Sequence, residues 1–200
     1  MNIKLKKKAI ILFTKNPELG KVKTRLAKTL GNEKALEIYK KLLIHTQEIV
    51  APILVDKFVF YSEEIIENDA WSSEVYHKKI QKGIDLGERM KNAFQELFEL
   101  NYDSICIIGS DCFELSSEII NGAFRVLKNN DVVVGPTFDG GYYLLGMNKL
   151  HSHLFENIIW STETVFKETL FKIEKANLSK AILVKLNDVD EEIDVPRQWL

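Results

Sequence analysis

Short apolar runs alternate with helical patterns along the whole chain. Residues 9–13, 104–108 and 131–134 are almost continuously apolar, which is the pattern of strands buried on both faces of a sheet. In residues 88–100 the apolar positions instead recur every three or four residues, which is helical spacing. The same reasoning predicts further strands at 57–61, 75–80, 142–145 and 181–186, and further helices at 24–50 (with a break near Gly31), 117–127 and 162–174.

This alternation of strands and helices predicts a three-layer α/β/α architecture around an open, mostly parallel central sheet. The chain has no internal repeat, no low-complexity segment and no linker rich in Pro, Gly or Ser, so we expect one domain over residues 1–200. In such sheets ligands bind beyond the carboxyl ends of the strands. The loops that follow strands are therefore the places to search for chemistry.

The net charge bears on which partners the protein can bind, and the cysteine content bears on its cellular compartment. The 27 basic and 29 acidic residues give a net charge of -2, which provides no general attraction to nucleic acid or to an anionic membrane. No apolar run is long enough to span a bilayer. Two cysteines, without paired CxxC spacing, favour free thiols in a reducing compartment. We expect a cytoplasmic protein without a nucleic-acid partner, and homo-oligomerisation stays open.

The loop after the first strand, residues 14–25, concentrates positive charge. It contains four cations within eleven residues, together with Pro17 and Gly20, and it leads into a helix. Backbone amides at a helix start and basic side chains both favour anions, so the loop suits a diphosphate. It matches neither the GxxxxGK[ST] nor the GxGxxG pattern, and a solvated basic loop is the competing interpretation. The four cations are Lys15, Lys21, Lys23 and Arg25.

Two later segments supply acids. Asp111 follows the apolar strand 104–108, where a carboxylate can hold Mg²⁺ or Mn²⁺ against phosphate oxygens; the alternative is a helix N-cap. Residues 187–194 carry five carboxylates after a strand. One of them could be a second metal ligand, and an acidic surface turn is the alternative.

Two other loops could contact the substrate. In residues 135–143, Gly140 and Gly141 allow a ligand to approach the backbone and Asp139 can accept hydrogen bonds from sugar hydroxyls, although Asp-Gly is also a common turn pair. In residues 81–89, Gln81 could bind a nucleobase edge. A plain loop with a helix cap is the competing interpretation there.

The motifs together resemble a known family. The segments KNPELGKVKTRLA, QKGIDLGERM, IIGSDCFEL, DVVVGPTFDGGYYLLG, IIWSTETV and LNDVDEEID occur in the order found in the bacterial glycosyltransferase-like proteins called DUF2064, from about residue 15 to residue 194. The resemblance implies the nucleotide-diphospho-sugar transferase fold, which is Rossmann-like. Some members are named as glycosyltransferases of arsenosugar biosynthesis. Phospholactate guanylyltransferases and the guanylyltransferase of molybdenum-cofactor synthesis are similar more distantly.

The resemblance also implies roles for individual residues. Asp111 matches the metal-binding acid, and Lys23 and Arg25 match the basic loop that faces phosphates. Asp190 matches a late acid that gives a second metal contact in related enzymes, although VDEEID stands here where their pattern is similar to VDTPED. The remaining motif positions are expected at the sugar, acceptor or nucleotide: Lys15, Gly20, Gln81, Gly87, Asp139, Gly140, Gly141 and Trp160.

Three functions are compatible with these motifs. The first is a metal-dependent glycosyltransferase that uses a nucleotide-diphosphate sugar and an unknown small-molecule acceptor, with Mg²⁺ or Mn²⁺ on Asp111 and Asp190 and with Asp139 as a candidate base. The second is a guanylyltransferase-like nucleotidyltransferase that joins an NTP to a phosphorylated acceptor, although the GxGxR core of sugar pyrophosphorylases is absent. The third is a non-catalytic nucleotide-binding module. One fold serves all three, so fold alone does not decide between them.

Overall fold

The structure is a computed structural model that describes residues 6–200. Within that range seven strands form one sheet in the order β3-β2-β1-β4-β6-β5-β7. All strands are parallel except β6, which runs antiparallel to both β4 and β5. The strands are β1 (Lys8–Thr14), β2 (Asp56–Tyr61), β3 (Tyr76–Ile80), β4 (Ser104–Ile108), β5 (Val132–Pro136), β6 (Tyr142–Met147) and β7 (Lys180–Ile182).

Helices cover both faces of this sheet. They are α1 (Thr24–Leu30), α2 (Asn32–Val50), α3 (Leu86–Glu99), α4 (Ser117–Val126) and α5 (Val165–Lys175), with short 3₁₀ turns at Ser152–Phe155, Glu192–Asp194 and Arg197–Trp199.

The central strands are buried on both sides because their side chains alternate between the two faces. In β1, Ile10 and Leu12 join the core formed with α4, whereas Ala9 and Ile11 join the core formed with α3. This explains why the strand reads as a continuous apolar run. The predicted three-layer α/β/α architecture with a mostly parallel sheet is confirmed.

A third, smaller cluster joins the beginning of the chain to its end. Leu26 of α1 and Ile38 and Leu42 of α2 pack against Val189 and Val195 of the C-terminal segment. In addition, the backbone N–H of Val189 donates to the carbonyl oxygen of Asp111 at 2.9 Å. These contacts bring the basic loop, the end of β4 and the late acidic segment to one edge of the sheet.

The structure differs from the sequence-based expectation in a few boundaries. The last predicted strand, 181–186, is shorter and shifted: β7 spans Lys180–Ile182, and beyond it only a single bridge joins Thr137 to Leu186. The helix predicted at 162–174 begins only at Val165, and the one predicted at 88–100 already begins at Leu86. Over residues 6–200, no helix has the length and apolar character needed to cross a membrane.

Candidate functional site

An open pocket of about 960 Å³ lies at the carboxyl ends of β1 and β4. Its volume is at the upper end of the range for ligand sites, roughly 300–1,000 Å³. Gly20, Gly87 and Gly140 are predicted site residues that do not line it. The predicted site residues that do line it are Lys15, Lys23, Arg25, Gln81, Asp111, Asp139, Gly141, Trp160 and Asp190.

A compact ion cluster forms one wall of the pocket. The Nζ of Lys23 lies 2.9 Å from Oδ1 of Asp111 and 3.1 Å from Oδ1 of Asp190. The Nη1 of Arg25 lies 3.5 Å from Oδ2 of the same Asp190. Four residues predicted from three separate loops are therefore in direct contact.

Lys23 approaches the acids from the protein side. Its side chain is only 4% exposed, whereas those of Asp111 and Asp190 are 46% and 34% exposed. Burial alone would lower the pKa of Lys23, but the attraction of Asp111 and Asp190 outweighs it and the pKa is raised. The ammonium group is thus charged and faces carboxylates, whereas the family resemblance leads one to expect it at the phosphates.

Asp111 is not a helix cap. Helix α4 starts at Ser117, and the side chain of Ser116 accepts the hydrogen bond from the N–H of Ile119 that caps it. The Oδ1 atom of Asp111 is buried, and no donor in the part of the chain that the structure describes meets it in hydrogen-bond geometry, although Lys23 is close. The helix-cap interpretation is wrong here because the chain makes a turn between Asp111 and the helix.

Asp188 is a site residue that the sequence did not single out. It lines the pocket beside the ion cluster. Burial, together with the negative charges of Asp111 and Asp139, raises its pKa to about 7. A signal was present, because Val189 between Asp188 and Asp190 is apolar, and neighbours on either side of an inward residue in extended chain share the opposite side.

The loop of Asp139 is a tight turn that also lines the pocket. The Oδ1 atom of Asp139 accepts hydrogen bonds from the hydroxyl of Thr137 and, at 3.0 Å, from the N–H of Gly141. Gly140 has φ 91°, and a Cβ there would overlap the carbonyl oxygen of Glu163. The turn interpretation is confirmed, and it leaves Oδ2 of Asp139 without a role inside the turn.

The side-chain amide of Gln81 forms hydrogen bonds with the ends of two strands. Its Nε2 donates to the carbonyl oxygens of Thr14 at 3.0 Å and of Phe60 at 2.9 Å, which ties the ends of β1 and β2 together. Both amide hydrogens are therefore engaged by backbone, not offered to a nucleobase. The cap interpretation of this segment is confirmed, since Asp85 accepts from the N–H of Glu88 at 2.8 Å.

Trp160 contributes apolar surface to the lining of the pocket. Its indole packs so closely on Gly87 that a Cβ at that position would overlap the ring. Ser161, which follows it, has φ 63°, a left-handed conformation that few residues other than Gly and Asn adopt. Other apolar side chains that line the pocket include Leu86, Met90, Tyr142 and Val165.

Tyr39 is a second residue that the sequence did not reveal. Its buried hydroxyl accepts from the N–H of Lys15 at 2.9 Å, donates to the carbonyl oxygen of Lys15 at 3.0 Å and lies 3.4 Å from Oγ of Ser110. It therefore connects the basic loop with the residue that precedes Asp111. Within α2 it is one of several buried apolar positions, so no sequence signal separates it from a core residue.

The two carboxylates of this wall, Asp111 and Asp190, are the groups that could hold a metal ion. No group of three or more His, Cys, Asp or Glu side chains that could hold a metal ion is found within residues 6–200. Mg²⁺ is commonly held by one or two carboxylates together with substrate phosphates. The exposed carboxylates of Asp111 and Asp190, and the buried Oδ1 of Asp111 without an aligned donor, fit that kind of site.

The sequence model of one family matches this chain. Its description is "Uncharacterized protein conserved in bacteria (DUF2064)", and the match covers residues 46–162.

Comparison with solved structures places the chain among similar folds. A protein from Desulfovibrio desulfuricans G20, named as a candidate nucleotide-diphospho-sugar transferase, is 34% identical and superposes with a TM-score of 0.87 over 94% of this chain and 84% of its own. The 4-diphosphocytidyl-2C-methyl-D-erythritol synthase of Anaerococcus prevotii is 11% identical, with a TM-score of 0.58 over 97% and 93% of the two chains. The inositol-1-phosphate CTP transferase of T. maritima is 14% identical, with a TM-score of 0.55 over 96% and 93%. The latter two likenesses concern the fold alone.

Proposed function

The chain belongs to the DUF2064 family, and from that premise we propose that it is a metal-dependent transferase that uses a nucleotide-diphosphate sugar as donor. The observation that carries the proposal is the contact of Asp111, Lys23 and Asp190 at the carboxyl edge of the sheet, in a pocket of about 960 Å³. The candidate nucleotide-diphospho-sugar transferase from D. desulfuricans, 34% identical, supports the same class.

The carboxylates of Asp111 and Asp190 would hold Mg²⁺ or Mn²⁺ in this proposal. When bound there, such an ion neutralises charge on the diphosphate and on the nucleotide that leaves. Arg25 supports the same phosphates, because its side chain is 61% exposed and already lies at the ion cluster. Lys15 is exposed at the mouth of the pocket and adds a further positive charge.

The acceptor would lie towards Asp139 and Trp160. Oδ1 of Asp139 is occupied within its turn, so Oδ2 is the oxygen that would accept a proton or a hydrogen bond from an acceptor hydroxyl. The apolar lining that includes Trp160 supplies area for the rest of that substrate. The space between this lining and the ion cluster is where the sugar would be transferred.

A nucleotidyltransferase is the second candidate, because the two cytidylyl-type enzymes named above share the fold over nearly their whole lengths. The same carboxylate pair would then hold the metal on an NTP, and pyrophosphate would be the leaving group. A nucleotide-diphosphate sugar as donor is preferred because the 34% identical relative is named as a candidate nucleotide-diphospho-sugar transferase, whereas the likeness to the cytidylyl enzymes concerns the fold alone.

The test is incubation of the purified protein with UDP-, GDP-, CDP- and ADP-sugars and Mn²⁺, with a panel of hydroxyl-bearing acceptors. We expect release of free nucleoside diphosphate from at least one donor, and its loss in Asp111→Asn. Asp103→Asn is the matched control, since Asp103 lies at the amino end of β4, outside the pocket.

Other outcomes of this experiment separate the rival functions. Pyrophosphate released from an NTP in the presence of a phosphorylated acceptor would establish the nucleotidyltransferase. Tight nucleotide binding without turnover would establish a non-catalytic module. Absence of any nucleotide binding would contradict all three.

A further inference from the structure

We propose that Lys23 acts in the free protein as a built-in substitute for the divalent cation, so that metal ion and nucleotide diphosphate bind as a coupled pair. The inference rests on the proposed function, and it concerns how the two ligands of that site depend on each other. It gives Lys23 a different role from the phosphate donor implied by the family resemblance.

The first step is the position of the ammonium group. It lies between the two carboxylates proposed as metal ligands, at 2.9 Å from one oxygen of Asp111 and 3.1 Å from one oxygen of Asp190. Its side chain is 4% exposed, so the contact is made from inside the protein and not from the pocket. A cation thus already occupies the place where the acids would share a metal ion.

The second step is the charge balance of the cluster. Asp111 and Asp190 contribute two negative charges, and Lys23 and Arg25 contribute two positive charges, so the formal sum is zero. Asp188 adds at most one further negative charge. A divalent ion that enters alone leaves these four groups with a net positive charge, which Asp188 offsets only in part, whereas a diphosphate that enters with it restores the balance.

The third step is that packing holds Lys23 in place, because its side chain is 4% exposed. Its backbone is left-handed at φ 47°, it stands at the N-cap of α1, and its neighbour Val22 is buried. Repulsion between its charge and a metal ion on the same carboxylates therefore persists when the metal binds. By thermodynamic reciprocity, a nucleotide that offsets this repulsion strengthens metal binding by the same factor by which the metal strengthens nucleotide binding.

The test is a binding cycle followed by electron paramagnetic resonance of free Mn²⁺, with no assay of turnover. Mn²⁺ is titrated into the wild-type chain alone and in the presence of GDP, UDP, CDP or ADP in turn, after subtraction of the Mn²⁺ bound by the nucleotide in solution. The same titrations are made on Lys23→Met. Lys21→Met is the matched control, because Lys21 belongs to the same loop but pairs with Glu18 and Glu63 and does not contact the acids.

Lys23→Met should bind Mn²⁺ alone about ten- to a hundredfold more tightly than the wild type, and Lys21→Met should not differ from it. In the wild type a nucleotide should tighten Mn²⁺ binding by a similar factor, and most of this coupling should be lost in Lys23→Met. A merely structural role of Lys23 would weaken the site and would not produce the gain for the metal alone.

Lys23→Gln is made in parallel and serves as the test variant if Lys23→Met does not give a cooperative unfolding transition. Mn²⁺ affinity in the Lys23 variants equal to or below that of the wild type would overturn the inference, even if nucleotides bind as proposed. Conversely, a gain in Mn²⁺ affinity without any nucleotide binding would support the place of Lys23 between the acids and contradict the proposed function. Absence of Mn²⁺ binding in every variant would overturn both.

Discussion

At the scale of single residues, the ion cluster of the pocket joins side chains from three separate loops. Asp111 was identified because an acid that follows a buried strand lies at the ligand edge of a parallel sheet. The contact of Lys23 with Asp190 joins residues 167 positions apart, and no local pattern encodes it. The apolar Val189 between Asp188 and Asp190 indicates that these two acids share one side of the chain, and only the burial of Val189 shows that this side faces the pocket.

Gly87 should be indispensable for the placement of Trp160. In Gly87→Ala the new methyl group overlaps the indole, and we expect the free energy of unfolding to fall by about 1–3 kcal/mol, as in other overpacked sites. Urea unfolding followed by circular dichroism measures this loss. Gly122→Ala is the matched control, because nothing lies within 4 Å of a Cβ there and alanine favours helix α4. Equal stability of the two variants would contradict the packing of Trp160 on Gly87.

Both cysteines should be unreactive in the native state. Cys106 and Cys112 are buried, and burial raises the pKa of both thiols, that of Cys112 to about 12. Because the thiolate is the reactive form, alkylation by iodoacetamide at pH 8 should be slow in buffer and fast in urea. Mass spectrometry of the alkylated protein measures both rates. Rapid modification of either thiol without denaturant would show that the site is open.

At the scale of elements, helix α2 fixes the position of the basic loop relative to the end of β4. The tie is the hydroxyl of Tyr39, which bonds the backbone of Lys15 and approaches Ser110. Amphipathic spacing predicts the helix and its buried face, since both depend on local sequence. The spacing does not predict that one hydroxyl on that face contacts two loops, because those loops meet only in the folded sheet.

Tyr39→Phe tests this tie between elements. The change leaves the partly buried N–H and carbonyl groups of Lys15 without their partner, and we expect a loss of about 1–2 kcal/mol in the free energy of unfolding. Weaker nucleotide binding should accompany it, since the loop is no longer fixed. Tyr76→Phe is the control, because the buried hydroxyl of Tyr76 has no hydrogen-bond partner among residues 6–200. Denaturant titration of both variants measures the free energy of unfolding. An unchanged free energy of unfolding in Tyr39→Phe would show that these hydrogen bonds are dispensable.

At the scale of the whole molecule, alternation of elements was enough to predict the layers and the mostly parallel sheet. The antiparallel direction of β6 follows from length, because only residues 137–141 separate it from β5 and a parallel crossover needs a dozen or more. The strand order depends on long-range pairing and is not encoded in any single segment. The pocket is a consequence of that order, since β1 and β4 are neighbours and their loops meet.

The contribution of His151 to the free energy of unfolding should fall as the pH decreases towards 5.5. Burial, followed by Lys149 and His153, lowers the pKa of His151 below its ordinary value. The unfolded chain therefore binds a proton more readily, and stability is lost as the pH falls below the unfolded pKa of about 6.5. Denaturant unfolding at pH 7.5 and 5.5 measures the effect. Lowering the pH should raise the free energy of unfolding of His151→Gln relative to that of His77→Gln, which replaces an exposed histidine. An identical pH dependence of the two variants would exclude a contribution from His151.

In the proposed function Asp111 makes nucleotide binding depend on a metal ion, and isothermal titration calorimetry measures that dependence. A nucleotide-diphosphate sugar that binds the wild-type chain is titrated with Mn²⁺ and with EDTA, into the wild type, Asp111→Asn and Asp103→Asn. We predict Mn²⁺-dependent binding in the wild type and Asp103→Asn. In Asp111→Asn its affinity should fall by more than the roughly 10- to 100-fold typical of residues that only support a metal ligand. Binding that is equally tight in EDTA, or unchanged in Asp111→Asn, would contradict the account.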